Sequence, residues 1–376
     1  MSALSDNYFH IRRSKMPLKF KKTLISEETY ETASAFDVNG DGILDIVSGG
    51  YWYEGPDFKK RHKIGDVQAE GEYYDDFSTI PLDVNGNGRL DFITGGWWGD
   101  TIRWRENPGD PDKEWPEHII AKCGNVETTR AWDVDGDGQV EIVPNTPGGP
   151  LIVHKLVTDE NGKGTGKFTA YTIRAENQGH GLGFGDITGN GRGDFVLYNG
   201  WLEAPEDTYA GEWILHPDFE LGSASIPILV VDVNGDGLND IIVGQAHPYG
   251  LDWWEQRVSD SGKRTWIKHP IDPYNSQYHD LQWVDIDGDG EYELVTGKRY
   301  RAHCGGDPGA DDDIGLYYFK WNGESFSKQV IDYGPAGVAS GCGIFFHIID
   351  LNGNGLLDIV APGKDGLYVF ENLGLS

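Results

Sequence analysis

Short apolar runs separated by turns set the pattern of this chain. Runs such as DIVSGG at 45–50 and YWYEG at 51–55 are rich in β-branched and aromatic residues, and Gly, Asp and Asn fill the gaps between runs. Each run is shorter than a typical helix, and no apolar period of 3.6 residues extends over a comparable length. The pattern therefore predicts many short strands joined by tight turns.

An acidic, glycine-rich loop returns seven times, each time just ahead of a β-branched run. Successive loops start 46 to 65 residues apart, which is the spacing of a repeated supersecondary unit. Each unit has room for four short strands, the number in one blade of a β-propeller. The loops begin at Asp37, Asp83, Asp133, Asp186, Asp232, Asp285 and Asp350.

The repeats predict an all-β chain folded as a seven-bladed β-propeller with four antiparallel strands in each blade. A closed ring leaves no open sheet edges, which is how such a fold avoids edge-to-edge association. The run LKFKKTLIS at 18–26 is expected to supply the fourth strand of the last blade and so to close the ring. Residues 1–17 would then be an N-terminal extension, and 18–376 a single propeller domain.

The repeated loop carries oxygen ligands at its first, third, fifth and ninth positions. Glycines between these positions permit the positive-φ turns that let alternate side chains converge, and hard cations such as Ca²⁺ bind sets of this kind. We therefore expect Ca²⁺ or Mg²⁺ in most loops, although Asp and Gly can also serve only to close turns. The expected ligands are Asp37, Asn39, Asp41, Asp45; Asp83, Asn85, Asn87, Asp91; Asp133, Asp135, Asp137, Glu141; Asp232, Asn234, Asp236, Asp240; Asp285, Asp287, Asp289, Glu293; and Asp350, Asn352, Asn354, Asp358.

The copies of the loop differ in charge. Those starting at Asp133 and Asp285 have a carboxylate at all four ligand positions, whereas the copy at Asp186 has Thr188 at its third position and is expected to bind a cation worst. The acidic loops contribute to a formal net charge of −30. Such a charge argues against nucleic acid or an anionic membrane surface as a partner.

Other features of the sequence bear on membrane insertion, secretion and disulfide bonding. No apolar stretch reaches transmembrane length, so membrane insertion is not expected. The first residues lack the apolar core of a secretory signal, which indicates a cytoplasmic protein or an already mature secreted form. Three scattered cysteines are too few for a disulfide framework.

Four histidines are placed by the blade pattern at the end of the channel opposite the acidic loops. His180 and His279 each stand six residues before a loop aspartate, at the start of an innermost strand, and Glu127 has the same offset. His247 and His303 fall in loops between second and third strands. Convergent imidazoles with a nearby carboxylate indicate a Zn²⁺ or Mn²⁺ site; the alternative is a set of separate hydrogen-bonding residues.

The same end collects aromatic and basic residues. Tyr300, Arg299 and Arg301 lie in the longest loop between second and third strands, and are expected to contribute to binding because loops on rigid scaffolds often carry function. Flat aromatic faces beside polar groups suit carbohydrates. For three tryptophans at these loops or their edges the sequence leaves sugar contact and packing between blades equally open: Trp97, Trp98 and Trp201.

The loops, together with GFGD at 183–186, resemble the FG-GAP and VCBS repeat families over nearly the whole chain. Those families include integrin-type adhesion propellers, fungal propeller lectins and the propeller of aldos-2-ulose dehydratase. The last resemblance implies a metal-dependent carbohydrate lyase or dehydratase acting on a keto-sugar of the aldosulose or anhydrofructose type. The implied chemistry is α-proton abstraction followed by elimination of water, with a metal ion polarising the carbonyl.

The residues expected to carry that chemistry come from the histidine end of the channel. Acid–base or electrostatic roles are expected for His180, His279, Tyr300, Glu127, Arg299 and Arg301. The dehydratase of the resemblance carries further domains after its propeller, whereas this sequence ends where the ring closes. Two alternatives stay open: a calcium-stabilised sugar-binding lectin without catalysis, and an adhesion or scaffold propeller. A lectin would more often repeat its sites between blades, whereas these histidines are confined to blades four to six.

Overall fold

The computed structural model describes residues 17–375, and every regular element in that range is a β-strand. Twenty-eight of the strands form seven antiparallel sheets of four, so the predicted seven-bladed propeller is confirmed. In each blade the acidic loop joins the first strand to the second. Within residues 17–375, no helix is long and apolar enough to cross a membrane.

The blades are numbered along the chain. Blade 1 has strands Ser34–Phe36, Asp45–Ser48, Tyr51–Glu54 and Lys60–Lys63; blade 2 has Ile80–Leu82, Asp91–Gly95, Thr101–Arg105 and Glu117–Lys122; blade 3 has Thr128–Trp132, Glu141–Asn145, Leu151–Thr158 and Gly164–Arg174; blade 4 has Leu182–Gly185, Asp194–Leu197, Gly200–Glu203 and Ile214–His216.

Blade 5 has strands Leu229–Val231, Asp240–Gly244, Leu251–Val258 and Arg264–Pro270; blade 6 has Tyr278–Val284, Glu293–Lys298, Ile314–Trp321 and Phe326–Gly334; blade 7 has His347–Ile349, Asp358–Ala361, Leu367–Leu375 and Leu18–Ser26. A small two-stranded hairpin, Ala69–Glu70 with Tyr73–Tyr74, precedes blade 2.

The ring is closed by the N-terminal strand, as the sequence predicts. Leu18–Ser26 pairs antiparallel with Leu367–Leu375, with Lys22 opposite Phe370 and Leu24 opposite Tyr368. The first and last strands of the described residues are therefore held in one sheet. Of the predicted N-terminal extension, residues 1–16 lie outside the described residues.

Close packing at the centre of the ring explains the glycines of the GFGD segment. Parallel bridges join neighbouring blades there, one between Gly183 and Ile228 and one between Thr32 and Phe345. A Cβ atom on Gly183 would lie 2.3 Å from the carbonyl oxygen of Ile228. Only glycine allows the two innermost strands to approach this closely.

Buried apolar side chains fill the wedges between successive blades. In one such cluster, Ile242 and Trp253 of blade 5 pack with Leu294 and Tyr317 of blade 6. Burial of these faces drives the blades together. The polar loops lie at the two ends of the ring. One end carries the acidic loops, and the other carries the loops between second and third strands.

Candidate functional site

Three histidines and a glutamate converge at the end of the channel opposite the acidic loops. His180 precedes the first strand of blade 4, His247 lies between the second and third strands of blade 5, and His279 is on the first strand of blade 6. His180 Nε2 lies 3.1 Å from His247 Nε2, and His279 Nε2 lies 3.0 Å from an oxygen of Glu127. One donor atom from each of the four residues lies within 4.8 Å of the others.

Hydrogen bonds at the other ring nitrogens set how these histidines are oriented. His180 Nδ1 lies 2.9 Å from the carbonyl oxygen of Ala224, and His247 Nδ1 lies 3.3 Å from a carboxylate oxygen of Asp307. Because both Nδ1 atoms face acceptors, both carry the proton, and the two Nε2 lone pairs face each other. Two acceptors at 3.1 Å repel unless a cation lies between them, so the arrangement fits a metal ion.

The pKa values of three members of the cluster, His247, His279 and Glu127, are shifted toward the forms that bind metal ions. Burial lowers the pKa of His247 to about 4 and that of His279 well below its usual value. Burial by itself would raise the pKa of Glu127, but the hydrogen bond from His279 and the nearby His180 ring hold it well below the usual range. Neutral imidazole and ionised carboxylate are the forms that bind metal ions. The donor set of three nitrogens and one oxygen fits Zn²⁺.

A buried ionic frame fixes the glutamate. Arg299 Nη1 lies 3.3 Å from Glu127, and Arg299 Nε donates to Glu31 at 2.9 Å. Lys364 adds a second positive charge 3.1 Å from Glu31. All four side chains are almost completely buried, so the charges must stay paired. Arg299, expected to be functional, lies in direct contact with the donor set.

His303 lies beside the convergent cluster rather than inside it. Its ring stacks on His247 with centroids 4.0 Å apart, and its Nδ1 lies 2.7 Å from the second oxygen of Asp307. Asp307 thus bridges two histidines, and the His303 side chain remains 53% exposed. An oriented imidazole with a free Nε2 at the mouth of the channel is suited to accept a proton from a bound molecule.

A cavity of about 90 Å³ adjoins the cluster. Its polar side is formed by Glu127, Arg299 and His303, and its apolar side by aromatic rings. The Tyr73 and Trp98 rings lie 4.9 Å apart. A sugar ring has the same two-sided character, with C–H faces that pack on aromatics and hydroxyls that need polar partners. The aromatic residues that line the cavity are Tyr73, Phe77, Trp97 and Trp98.

Three residues singled out by the sequence lie elsewhere. Tyr300 is half-buried and does not line the cavity. Arg301 is held at the surface by a two-pronged ion pair with Glu72, at 2.6 and 2.7 Å. Trp201 is 1% exposed and stacks on His216. It therefore packs between blades and is not available for sugar contact.

Tryptophan, glutamate and histidine form one repeated unit in four of the blades, which sequence reasoning missed. In blade 2, the His118 ring stacks 4.4 Å from Trp104 and its Nε2 lies 2.8 Å from Glu106. The signal was available as a Trp-x-Glu triplet on or at the end of the third strand, followed by His on the fourth. The other three units are Trp52, Glu54 and His62; Trp201, Glu203 and His216; and Trp253, Glu255 and His269.

At the opposite end of the ring, the acidic loops are tied to their blades by the ninth-position carboxylate. In blade 1, Asp45 accepts hydrogen bonds from the backbone N–H groups of Val38 and Gly55. Burial raises the pKa of the equivalent Asp91, Asp194 and Asp240 to about 6. A buried carboxylate without a positive partner is costly. These loops therefore offer oxygens that fit a hard cation, although in blade 1 the first-position oxygens also accept backbone N–H groups.

Comparison with known proteins agrees with this architecture. A model of the FG-GAP-like repeat matches residues 83–143 and 232–296. No curated protein sequence matches the chain. A crystal structure of BBS1N in complex with ARL6DN is similar, with a TM-score of 0.54 and 10% identity over 95% of this chain and 97% of that one.

Two carbohydrate-related structures show weaker likeness. An Agrocybe aegerita lectin described as recognising non-reducing terminal N-acetylglucosamine has a TM-score of 0.48 and 16% identity, over 96% of this chain and 94% of that one. The rhamnogalacturonan lyase YesW has a TM-score of 0.47 and 12% identity, over 94% and 72%. Likenesses at these identities concern the fold alone. The chain is a seven-bladed β-propeller, and two of its segments, 83–143 and 232–296, match the FG-GAP-like repeat.

Proposed function

We propose that the histidine end of the channel is the active site of a metal-dependent carbohydrate lyase that removes water from a keto-sugar. The observation that carries the proposal is the convergence of His180, His247, His279 and Glu127 beside an aromatic-walled cavity of about 90 Å³. A catalytic metal site keeps a position open for substrate, and the cavity adjoins the donor set. We further propose Ca²⁺ or Mg²⁺ in most of the acidic loops, as structural ions.

Zn²⁺ or Mn²⁺ held by these four residues would polarise a substrate carbonyl and acidify the neighbouring C–H bond. The protein groups then have separate tasks. His303, oriented by Asp307, accepts the α-proton on Nε2, and Arg299 places fixed positive charge beside the developing oxyanion. The electron pair of the broken C–H bond forms the new double bond as the β-hydroxyl leaves. The proton departs with that hydroxyl as water, so the step needs no oxidant or second substrate.

Substrate binding follows from the two sides of the cavity. The rings of Phe77 and Trp98, with centroids 5.9 Å apart, form part of a continuous apolar wall. The nearby cations are already paired, Arg299 with Glu31 and Arg301 with Glu72. A neutral sugar therefore fits this cavity better than an acidic one, because no unpaired positive charge among its lining residues waits for a carboxylate.

The test combines metal analysis with turnover of an aldosulose. We expect about one Zn or Mn per chain in the wild type, lost in His247→Ala because one of the four donor residues is removed. His303→Ala should keep the metal and lose roughly 10²–10⁴-fold in turnover, the usual contribution of a positioned base. His118→Ala, on an outer strand of blade 2, is the matched control and should change neither.

Three results would overturn the proposal in different ways. Absence of a transition metal from the wild type would remove the metal centre. Retention of stoichiometric metal in His247→Ala would move it elsewhere. Sugar binding without consumption of the keto-sugar would leave a binding protein of the lectin type, since the aromatic wall serves binding as well as catalysis.

A further inference from the structure

The residue that lies across from the ninth position of each acidic loop divides the seven blades into two classes. The strand register places it on the third strand or, in blade 2, directly after that strand, beside the ninth-position carboxylate. In blade 3, Ile142 pairs with His154, which sets Lys155 beside Glu141. In two blades this residue is lysine, Lys155 and Lys320. In the other five blades it is glutamate: Glu54, Glu106, Glu203, Glu255 and Glu371.

In blade 3 the lysine ammonium group lies among the loop carboxylates. Lys155 Nζ is 2.5 Å from Asp135, 2.7 Å from Asp137 and 3.0 Å from Glu141. These are the third, fifth and ninth positions, which is where a divalent cation would find its side-chain ligands. Glu141 is completely buried, so its charge needs a positive partner.

Blade 6 repeats the arrangement with different residues. Lys320 Nζ contacts Asp287, lies 2.7 Å from Asp289 and lies 3.1 Å from the buried Glu293. Lys320 thus reaches the same three loop positions as Lys155. Blades 3 and 6, which are not adjacent in the chain, therefore hold a lysine ammonium group at equivalent positions of the repeat.

Loop composition changes together with the third-strand residue. The two lysine blades have aspartate at the third loop position and glutamate at the ninth. The five glutamate blades have asparagine or threonine at the third position and aspartate at the ninth. In blade 2 the Asn85 amide donates to Glu106 at 3.0 Å, and in blade 5 the Asn234 amide donates to Glu255 at 3.2 Å. In the lysine blades, an aspartate carboxylate therefore replaces the amide or hydroxyl at the third loop position. A lysine ammonium group replaces the glutamate carboxylate across from the ninth position.

We infer that in blades 3 and 6 the lysine ammonium group takes the place of the divalent cation, so that these two loops, the richest in carboxylates, do not bind one. The inference rests on the proposal that the remaining loops do bind divalent cations. It reverses the expectation from charge alone, by which four carboxylates make the strongest sites. The lysine blades would keep their loop geometry when calcium is scarce, because their positive charge is covalently attached.

A divalent ion beside each lysine is the competing arrangement. Asp133 Oδ1 and Asp135 Oδ1 are buried without a hydrogen-bond partner and lie near Glu141. An ion there would share carboxylates with the ammonium group of Lys155, and the two positive charges would repel at short range. Measurement of ion number separates the two arrangements.

The experiment counts Ca²⁺ bound per chain by equilibrium dialysis and elemental analysis, for wild type, Lys155→Met and the double variant Lys155→Met/Lys320→Met. We expect one additional ion in the single variant and two in the double. In chelator the single variant should also melt several degrees below the wild type, and added Ca²⁺ should raise its melting temperature more than that of the wild type. Lys167→Met, at an exposed position in the same blade, is the control and should match the wild type.

Other outcomes distinguish failure of the lysine inference from failure of the proposed cation sites. If Lys155→Met and the double variant bind the same number of ions as a calcium-binding wild type, the lysines do not occupy the cation positions and the inference is overturned while the other loop sites stand. If Lys155→Met loses stability that Ca²⁺ does not restore, the ammonium group is not a substitute for a cation. If neither wild type nor variant binds Ca²⁺ or Mg²⁺, the loop sites themselves fail, and the inference with them.

Discussion

The histidines of this propeller differ in the groups that their imidazole nitrogens contact. His180 and His247 direct one nitrogen to an acceptor and the other toward the convergent cluster. His347, on the first strand of blade 7, instead accepts the backbone N–H of Ala35 on Nδ1 at 2.9 Å. That hydrogen bond requires a lone pair on Nδ1, so His347 is a neutral structural residue.

Protonation of His347 should make the propeller sensitive to acid. Burial lowers its pKa from 6.5 to about 4. The unfolded chain therefore binds a proton between these values while the folded chain does not, and stability falls as pH falls through this window. His347→Gln, whose amide oxygen can still accept from Ala35, should lose about 1–3 kcal/mol less than the wild type between about pH 7 and pH 5.

Urea unfolding at several pH values measures this difference. His118→Gln, at a half-exposed outer-strand position, is the control for replacing a histidine with glutamine. Equal slopes for wild type and His347→Gln would show that His347 does not carry the acid sensitivity. Carboxylates with raised pKa values act in the opposite direction, so the comparison between variants is the informative quantity.

At the scale of elements, the long loop of blade 6 is the part that assembles the site. The loop runs between Glu293–Lys298 and Ile314–Trp321 and brings His303 and Asp307 over the cluster. It is pinned to the hairpin before blade 2, where the Tyr73 hydroxyl donates to the Ala302 carbonyl at 2.6 Å. The loop and the hairpin thus meet across the mouth of the channel.

Breaking the ion pair between loop and hairpin should loosen the loop without unfolding the ring. Glu72→Gln removes one charge of the exposed Glu72–Arg301 pair, and such pairs contribute only about 0–1 kcal/mol to stability. We expect faster hydrogen exchange in 299–313 with the melting temperature nearly unchanged, because the buried contacts of the blades remain. Glu114→Gln, which breaks the exposed pair with Lys63, is the control. Unchanged exchange in 299–313 would mean that the ion pair does not restrain the loop.

At the scale of the whole molecule, the features encoded by the repeat could be predicted from the sequence. Loop spacing predicted the number of blades, and the shared offset of His180 and His279 placed both at one end of the channel. Contacts between residues of different blades could not be predicted. Asp307 meets His247 through a loop whose backbone takes positive φ at Arg301 and Cys304, a path that no periodicity encodes. The lysine of blade 3 was equally hidden, because its position opposite the loop appears only once strand register is known.

One side chain ties the ring together across its channel. Arg130, on the first strand of blade 3, lies 2.8 Å from Asp280 of blade 6 and contacts the carbonyl of Ile226 ahead of blade 5. Its guanidinium group also lies 4.6 Å from the ring of Phe345, next to blade 7. Asp280 is completely buried, and burial raises its pKa to about 6 in spite of Arg130. Loss of the arginine would leave that carboxylate without its positive partner.

Arg130→Met should therefore destabilise the propeller by about 3–5 kcal/mol, the usual cost of removing one member of a buried ion pair. Asp280→Asn alone leaves a buried arginine uncompensated and should also be costly. The double variant should be more stable than the sum of the two single costs predicts, because the introduced asparagine is neutral and its amide oxygen could still accept the Phe346 N–H that Asp280 accepts at 3.0 Å. Urea unfolding of all four proteins gives the coupling energy. Additive costs would show that Arg130 contributes by packing alone, and that blade 3 and the three blades it approaches are held together by their apolar wedges.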